Sequence, residues 1–285
     1  MGISAYAIWG GVIPLYLKAL HPLTAPSILA LRILWSLIFL VLLAIAARSR
    51  TIFDVLRQPR MIGALVVTSM LIGANWLIYI YMINAGHVLQ ASLGYFINPL
   101  LNVLLGVVIL RERLGRTEAA ALLLAAIGVA AYAIWQQTMP ILPLSLACTF
   151  GLYGLVRKMI PVEALDGLLI ETAILAPFAL GWLLTHGGFD LPASGPSLPL
   201  VAASGIVTAA PLLLFNAAAR HVRYADLALM QYLSPTLQLL AAVLVFGEPL
   251  LPIHLIAFAF IWTGLLIYAT VNWRRGRATL PTPPE

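Results

Sequence analysis

Polar side chains recur at helical spacing inside two strongly apolar stretches of the sequence. Tyr95, Asn98 and Asn102 lie three and then four residues apart, which places them on one face of an α-helix. Later in the chain, a second stretch repeats this spacing with Gln231, Ser234 and Gln238. Polar residues inside a membrane helix face protein or a watery cavity rather than lipid. We therefore interpret the two stripes as the lining of a substrate cavity; hydrogen bonds that join neighbouring helices are the alternative.

Three further apolar segments add candidate substrate-binding residues. Asn75 and Tyr79 are four residues apart, Tyr6 and Trp9 are three apart, and Tyr153 stands close to two glycines. Aromatic side chains at these positions would give the cavity an amphipathic wall. Tryptophan and tyrosine also anchor helices at the membrane interface, and that alternative stays open here.

Three prolines inside the apolar stretches are candidate hinges. Pro99 and Pro235 each directly follow the second polar residue of their stripe, and Pro14 follows a pair of glycines. Proline inside a helix removes one backbone hydrogen bond and kinks the chain. Such kinks could move during transport, or they could be static and shape the cavity.

Two charged residues, Arg32 and Glu171, fall within apolar stretches. Charges inside the membrane are costly and often functional, so Glu171 is a candidate carrier of a coupling proton. Local pairing, or a position near a membrane surface, is the alternative for both residues. The five histidines fall in predicted loops or at helix ends, where we expect exposed side chains: His21, His87, His186, His221 and His254.

Catalytic and cofactor motifs are missing from the sequence. There is no His-Glu-x-x-His motif and no Walker motif, and no intramembrane serine has a histidine nearby to activate it. The single cysteine, Cys148, cannot form an intramolecular disulfide, and no Cys/His cluster has metal-ligand spacing. We predict a protein that is not an enzyme and that uses no cofactor or metal.

The composition requires a membrane around most of the chain. Of the 285 residues, 62% are hydrophobic and 9% are charged, whereas soluble proteins carry roughly 25% charged residues. Continuous apolar runs, without the alternation of barrel strands, indicate helices. We predict an all-α membrane protein with ten transmembrane helices, at residues 2–18, 25–47, 61–84, 89–110, 117–136, 140–157, 167–185, 198–219, 225–246 and 252–273.

The basic residues predict the orientation of these helices. Of the sixteen Lys and Arg, fourteen fall on one side of the ten predicted spans. They are Arg48, Arg50, Arg57, Arg60, Arg111, Arg113, Arg116, Arg157, Lys158, Arg220, Arg223, Arg274, Arg275 and Arg277. Cytoplasmic loops are rich in Lys and Arg, so we expect a multi-pass inner-membrane protein with both termini in the cytoplasm. Because these charges are dispersed among short loops, the net charge of +6 does not indicate nucleic-acid binding.

The two halves of the chain resemble each other. Aligning Ala74 with Ala210 brings Tyr95 onto Gln231 and Pro99 onto Pro235 without a gap, and the other helices match at a slightly larger offset. Because each half holds five predicted helices, the second enters the membrane from the opposite side. Inverted repeats are typical of transporters that alternate access to a site at the repeat interface. A duplication kept only for stability, or a channel, is the alternative.

Several longer runs resemble the RarD branch of the EamA family, in the drug/metabolite transporter superfamily. They are Leu71-Ile-Gly-Ala-Asn-Trp76, Ala91-Ser-Leu-Gly-Tyr-Phe-Ile-Asn-Pro99, Tyr153-Gly-Leu-Val-Arg-Lys158, Leu169-Ile-Glu-Thr172 and Ala257-Phe-Ala-Phe-Ile-Trp262. One departure is Arg111-Glu112, where many relatives have Gly-Glu.

The resemblance implies two five-helix EamA repeats, at 1–137 and 138–274. The Pro-rich end of the sequence separately predicts a disordered cytoplasmic tail at 275–285. The resemblance places helices 1–4 and 6–9 around a central cavity, with helices 5 and 10 at the periphery. It implies export of small metabolites, with amino acids, including aromatic ones, as the leading substrate class and efflux of drugs or cationic metabolites as the alternative. The expected partners are the small-molecule substrate and the lipid bilayer; no oligomer is required.

Overall fold

The computed structural model describes residues 1–49, 51–136, 141–186, 195–222, 224–247 and 249–278, and most of these residues are α-helical. The predicted all-α architecture is confirmed. Arg50, Arg223, Glu248, most of the predicted loop at 186–199 and residues 279–285 of the predicted tail lie outside the described ranges. Residues 275–278, which we expected to begin the disordered tail, belong instead to the last helix.

The first half of the chain begins with an interrupted helix. Helix α1 (Gly2–Ala7) continues through a π-helical turn (Ile8–Val12) into α2 (Ile13–Ala19). Pro14 has no N–H to donate to the carbonyl four residues earlier, and the two glycines before it relax the same turn. The helices that follow are α3 (Ala25–Ala46), α4 (Thr51–Leu56), α5 (Pro59–Asn84), α6 (Val88–Val108) and α7 (Arg116–Gln136).

The second half contains two divided helices. Its helices are α8 (Ile141–Met159), α9 (Ala164–Thr185), α10 (Leu198–Ala202), α11 (Ser204–His221), α12 (Tyr224–Gln231), α13 (Leu233–Leu244) and α14 (Pro252–Ala278). The predicted helix at 198–219 is divided at Ala203, and the one at 225–246 is divided at Tyr232. Since Pro235 cannot donate to the carbonyl of Gln231, α12 ends there. The matching Pro99 lies inside the uninterrupted α6.

Within the described ranges, five segments are long and apolar enough to cross a membrane: Ala25–Ala46, Pro59–Asn84, Gln90–Val108, Ala164–Thr185 and Leu198–His221. Three further apolar helices are shorter: Ala119–Trp135, Leu229–Leu244 and Pro252–Gly264. Large apolar side chains such as Leu42, Phe178 and Leu184 are exposed on the outside of the bundle, where lipid would cover them. The count of ten spans stays a prediction.

Helices from the two halves pack against each other throughout the interior. Helix α6 packs on α8, the π-helical turn on α13, α3 on both α9 and α11, and α5 on both α8 and α9. Helices α7 and α14 pack on each other so closely that a Cβ on Gly128 would lie 2.7 Å from the carbonyl oxygen of Ala257. Most buried apolar side chains of the other helices form one extended cluster in the interior.

Candidate functional site

The two predicted polar stripes meet inside the bundle, where α6 packs against α12 and α13. Asn102 donates its Nδ2 hydrogen to Oε1 of Gln231 at 2.9 Å, and each side chain is only 1% exposed. Asn98, Ser234 and Gln238 are equally buried. The structure therefore brings the amides of the two halves into direct contact.

Several polar atoms of these stripes have unused hydrogen-bonding capacity. Within the described part of the chain, Oδ1 of Asn98, Oγ of Ser234 and both side-chain amide atoms of Gln238 have no hydrogen-bond partner. Buried polar atoms normally have one. Unfilled donors and acceptors grouped in the interior are what a binding site for a polar solute requires.

The π-helical turn comes close to the same region. A Cβ on Gly10 would overlap the carbonyl oxygen of Ser234 and lie 2.8 Å from its Cα atom. Only glycine permits the backbones of the turn and of α13 to approach so closely. Pro14, a predicted hinge, lies directly after this turn at the start of α2.

The candidate residues of α5 have two different environments. Tyr79 contacts Tyr95 of α6 edge to face, with ring centroids 5.4 Å apart. Asn75 donates to the carbonyl oxygen of Leu146 at 2.8 Å and to Oγ1 of Thr149 at 2.9 Å, both on α8. The amide of Asn75 thus joins two helices in this state.

The remaining aromatic candidates form one buried cluster with two phenylalanines that the sequence analysis did not single out. The ring centroid of Trp9 lies 5.3 Å from that of Phe150 and 5.6 Å from that of Phe215. Tyr6 and Tyr153 pack on Phe215 from α1 and α8. Tyr6, Trp9 and Tyr153 are therefore brought together, in the interior rather than at an interface.

Glu171 lies in a buried network that joins four helices. Its Oε1 accepts a hydrogen bond from Oγ1 of Thr68 at 2.6 Å and lies 3.7 Å from Nε of Arg157. Its Oε2 accepts from the hydroxyl of Tyr153 at 3.3 Å, and Nδ2 of Asn216 donates to that hydroxyl at 2.8 Å. Of the alternatives for Glu171, this arrangement favours local pairing.

Arg32 has no such counter-ion. Its Nε donates to Oγ1 of Thr208 at 2.8 Å, and its Cζ lies 5.6 Å from the ring centroid of Trp76. Its Nη1 has no hydrogen-bond partner among the described residues, and no described carboxylate forms an ion pair with it.

Comparison with known proteins identifies the family. The EamA-like transporter family matches residues 1–134. An uncharacterized transporter of Pseudomonas aeruginosa is 46% identical over 99% of this chain and 96% of its own length. Protein RarD of Escherichia coli is 42% identical over 94% of this chain and 92% of its own. The chain belongs to the RarD-like branch of the EamA transporter family.

A solved crystal structure has the same fold as this EamA-family transporter. It superposes with a TM-score of 0.68 at 20% sequence identity, and the match covers 95% of this chain and 96% of that one. The transporter assignment, together with the apolar helices, agrees with the prediction that the chain is a multi-pass membrane protein and not an enzyme.

Sequence reasoning missed several members of the buried networks. Arg157, which we expected in a cytoplasmic loop, lies inside α8 and is buried. The need of Glu171 for a counter-ion was the signal that could have found it. Phe215 follows from the repeat, because the alignment of the two halves places it opposite Tyr79. Phe150, Thr68 and Thr208 carry no comparable signal.

The prediction that all five histidines are exposed was wrong for His254. This residue is buried in α14, its Nδ1 accepts a hydrogen bond from the backbone N–H of Leu251 at 3.1 Å, and its ring centroid lies 5.2 Å from that of Tyr132. Because His254 lies near the start of a helix, we expected its ring to contact solvent. The close packing of α14 against α7 covers the ring instead.

A groove of about 420 Å³ lies between α3, α5 and α9, away from the polar stripes. Its lining is apolar, with Ile33, Leu77, Leu175 and Phe178 among the residues, and it includes none of the predicted site residues. A groove of this composition on the outside of a bundle suits lipid chains rather than a polar substrate.

Proposed function

We propose that this EamA-family transporter is an inner-membrane carrier of ten transmembrane helices, in two inverted five-helix repeats at residues 1–137 and 138–274. Both termini face the cytoplasm. The repeats alternate access to one central site, and the carrier exports small organic metabolites, with amino acids, including aromatic ones, as the leading class. The polar stripes of α6 and α12–α13 line that site.

The exchange of packing partners between the halves supports the inverted repeat. The fourth predicted helix, α6, packs on the sixth, α8, while the ninth, α12–α13, packs on the first. Likewise α3 of the first half packs on α11, and α9 of the second half packs on α5. A two-fold axis that swaps the halves would produce these reciprocal pairs.

The buried charges follow the same exchange. Arg32 on α3 bonds to Thr208 on α11, and Glu171 on α9 bonds to Thr68 on α5. In the alignment of the two halves, Arg32 matches Glu171 to within one position, and Thr208 lies one helical turn beyond Ser204, the residue that matches Thr68. The halves have thus diverged in charge, while each buried charge still bonds to a threonine on the corresponding helix of the other half.

The hydrogen bond between Asn102 and Gln231 is the observation that carries the proposed site. It joins α6 of the first repeat to α12 of the second, in the interior, beside amide and hydroxyl groups that have no partner among the described residues. Amide side chains both donate and accept hydrogen bonds, so they can contact the polar groups of an amino acid. This favours amino acids.

The alternative, efflux of cationic drugs or metabolites, needs an acidic group that is free to bind the cation. Glu171 is the candidate within an apolar stretch, and its carboxylate already accepts two hydrogen bonds and lies beside Arg157. Its satisfied environment argues against this alternative.

Contacts at the two ends of the bundle indicate how access would alternate. At one end, Nζ of Lys18 donates to the carbonyl oxygen of Val245 at 2.8 Å; at the other, Nζ of Lys158 lies 3.8 Å from Oε1 of Glu112, and both contacts join the first repeat to the second. Each lysine belongs to one repeat at the end of a helix. Release of one contact while the other persists would open the site to one side only.

Uptake of labelled amino acids by proteoliposomes tests the proposed function. We expect the wild-type protein to take up amino acids above the level of empty liposomes, and the double variant Asn98→Leu/Gln231→Leu to lose this uptake while remaining folded. The matched control is Asn84→Leu/Gln58→Leu, which makes the same changes at exposed positions. Uptake that survives the first double variant would leave the transport function standing and refute the site; no uptake by the wild type, with or without a pH gradient, would refute amino-acid transport.

A further inference from the structure

Arg32 is the strongest unexplained feature of the interior. Its side chain is 2% exposed, and within the described ranges it lacks an acidic partner. Burying a charge without a partner is costly in any protein and more so inside a membrane. A purely structural role would be served by a neutral residue, so the buried charge needs another explanation.

The neighbours of Arg32 leave part of its guanidinium group free to bind a ligand. The Nε group of Arg32 donates a hydrogen bond to Oγ1 of Thr208, and the ring centroid of Trp76 lies 5.6 Å from Cζ. Nη1 remains without a partner in the part of the chain that the structure describes, and so does the buried hydroxyl of Tyr79. Trp76 and Tyr79 are three residues apart on α5 and so share one face of that helix, and Tyr79 contacts Tyr95 edge to face, with ring centroids 5.4 Å apart.

These residues lie at a common depth in the bundle. Arg32 is seven residues from the start of α3, Tyr95 is seven from the start of α6, and Tyr79 is five from the end of α5. At 1.5 Å per residue, the first two lie about 10 Å along their helices. All three helix ends lie on the same side of the predicted topology, so the three side chains belong to one region below that surface.

We propose that Arg32 binds the carboxylate of the transported substrate, with the hydroxyl of Tyr79 as a second hydrogen-bond donor. This inference rests on the proposed function and narrows it: the substrate is a carboxylate-bearing metabolite. Arginine presents several donors in a fixed plane that matches a carboxylate. Trp76 and Tyr95 supply apolar surface beside the charged group, which suits an aromatic or aliphatic amino acid.

Charge asymmetry between the halves supports this assignment. The equivalent region of the second half holds Glu171, whose charge is offset by Arg157. In the first half, Arg32 has no acidic partner among the residues that the structure describes. A negatively charged group brought by the substrate would complete the pair only when the site is occupied, so binding energy would come from contacts that the empty protein does not make.

The test compares ligands that differ only in the carboxylate. L-phenylalanine and L-phenylalaninamide are the probes, and their binding is measured by the shift in melting temperature of the purified protein and by uptake into proteoliposomes. We expect the wild-type protein to prefer phenylalanine by about tenfold or more, the ratio that one charge-assisted contact supplies. Inorganic phosphate and sulfate serve as anions without the organic part and should give no shift.

Three variants separate a binding role from a structural one. Arg32→Gln should abolish the preference for phenylalanine, and Arg32→Lys should keep part of it because the charge remains. Arg57→Gln, which removes the same charge from an exposed position, should behave as the wild type. Without ligand, Arg32→Gln should melt at the same temperature as the wild type or higher, because it removes a buried charge that has no counter-ion.

The outcomes distinguish this inference from the function on which it rests. Equal transport of both probes by the wild type, or an unchanged preference in Arg32→Gln, would overturn the role of Arg32 and leave the carrier intact. A shift with phosphate but not with phenylalanine would also overturn it. If the wild type neither binds nor transports either probe, the amino-acid function and the role of Arg32 both fail.

Discussion

At the residue scale, the interior contains two charged positions whose surroundings differ sharply. Glu171 receives hydrogen bonds from Thr68 and Tyr153 and lies 3.7 Å from Arg157. Arg32 donates one hydrogen bond, to Thr208, and its guanidinium group lies over the ring of Trp76. A charge that already has a counter-charge and hydrogen bonds has little capacity left for a ligand, whereas a charge without a counter-ion is available to one.

Glu171 should therefore be needed for stability as long as Arg157 is present. Glu171→Gln would leave the buried guanidinium group of Arg157 without its counter-charge, which costs about 3–5 kcal/mol of unfolding free energy. The double variant Glu171→Gln/Arg157→Met should recover most of this loss, because neither charge remains. Melting temperatures of the purified proteins, measured in the same detergent, check both statements.

The control for this pair is Glu163→Gln. Glu163 is exposed, and its side chain makes no capping hydrogen bond to α9, so we expect a change of less than about 1 kcal/mol. Equal melting temperatures for Glu171→Gln and the wild type would contradict the role given to the pair.

At the element scale, the π-helical turn and α13 approach each other at a single glycine. We expect Gly10→Ala to force the turn away from Ser234 and to cost about 1–3 kcal/mol of stability, with a loss of transport because the polar stripe of α13 would move. Gly11→Ala is the matched control, since its Cβ would meet only Cδ1 of Leu237, at an ordinary 3.8 Å. Equal transport and melting temperatures for the two variants would show that the close approach does not matter.

Helix positions were largely predictable, since long apolar runs separated by polar segments leave little choice of span. The divisions at Ala203 and Tyr232 were not predicted. Pro235 explains the second division, but Pro99, at the matching position, interrupts nothing, because α6 keeps its helical hydrogen bonds on either side of the proline.

The short helix α4 (Thr51–Leu56) lies in a predicted loop, since six residues are too few to show a hydrophobic period.

The candidate site was predictable only in its polar part. Amides inside apolar helices stand out in a sequence, and Asn102 and Gln231 do meet in the structure. Phe150 and Phe215 do not stand out among the other apolar residues, and Arg157 resembles an orientation charge because it lies close to the end of its helix. Which residues meet depends on how the helices pack, and the sequence pattern of a single helix does not contain that information.

At the scale of the whole molecule, the proposed inverted repeat makes a prediction about sidedness. The single cysteine permits a cysteine-free background, Cys148→Ala, for labelling introduced cysteines in intact cells with a reagent that does not cross membranes. We expect labelling from outside at His21, His87 and Ser197, and protection at Gln58, Met159 and His221, all of which are exposed residues. Labelling of any position in the second set from outside, or protection of any position in the first set, would contradict the ten-span topology with cytoplasmic termini.

The central claim is that the two halves form a carrier that alternates access to one site. Counterflow measures this most directly: proteoliposomes are loaded with unlabelled phenylalanine and diluted into a trace of labelled phenylalanine. We predict a transient accumulation of label above its equilibrium level, because a carrier exchanges one substrate molecule for another across a site that faces one side at a time. Label that enters only to equilibrium, at a rate independent of the internal phenylalanine, would indicate a channel and would contradict alternating access.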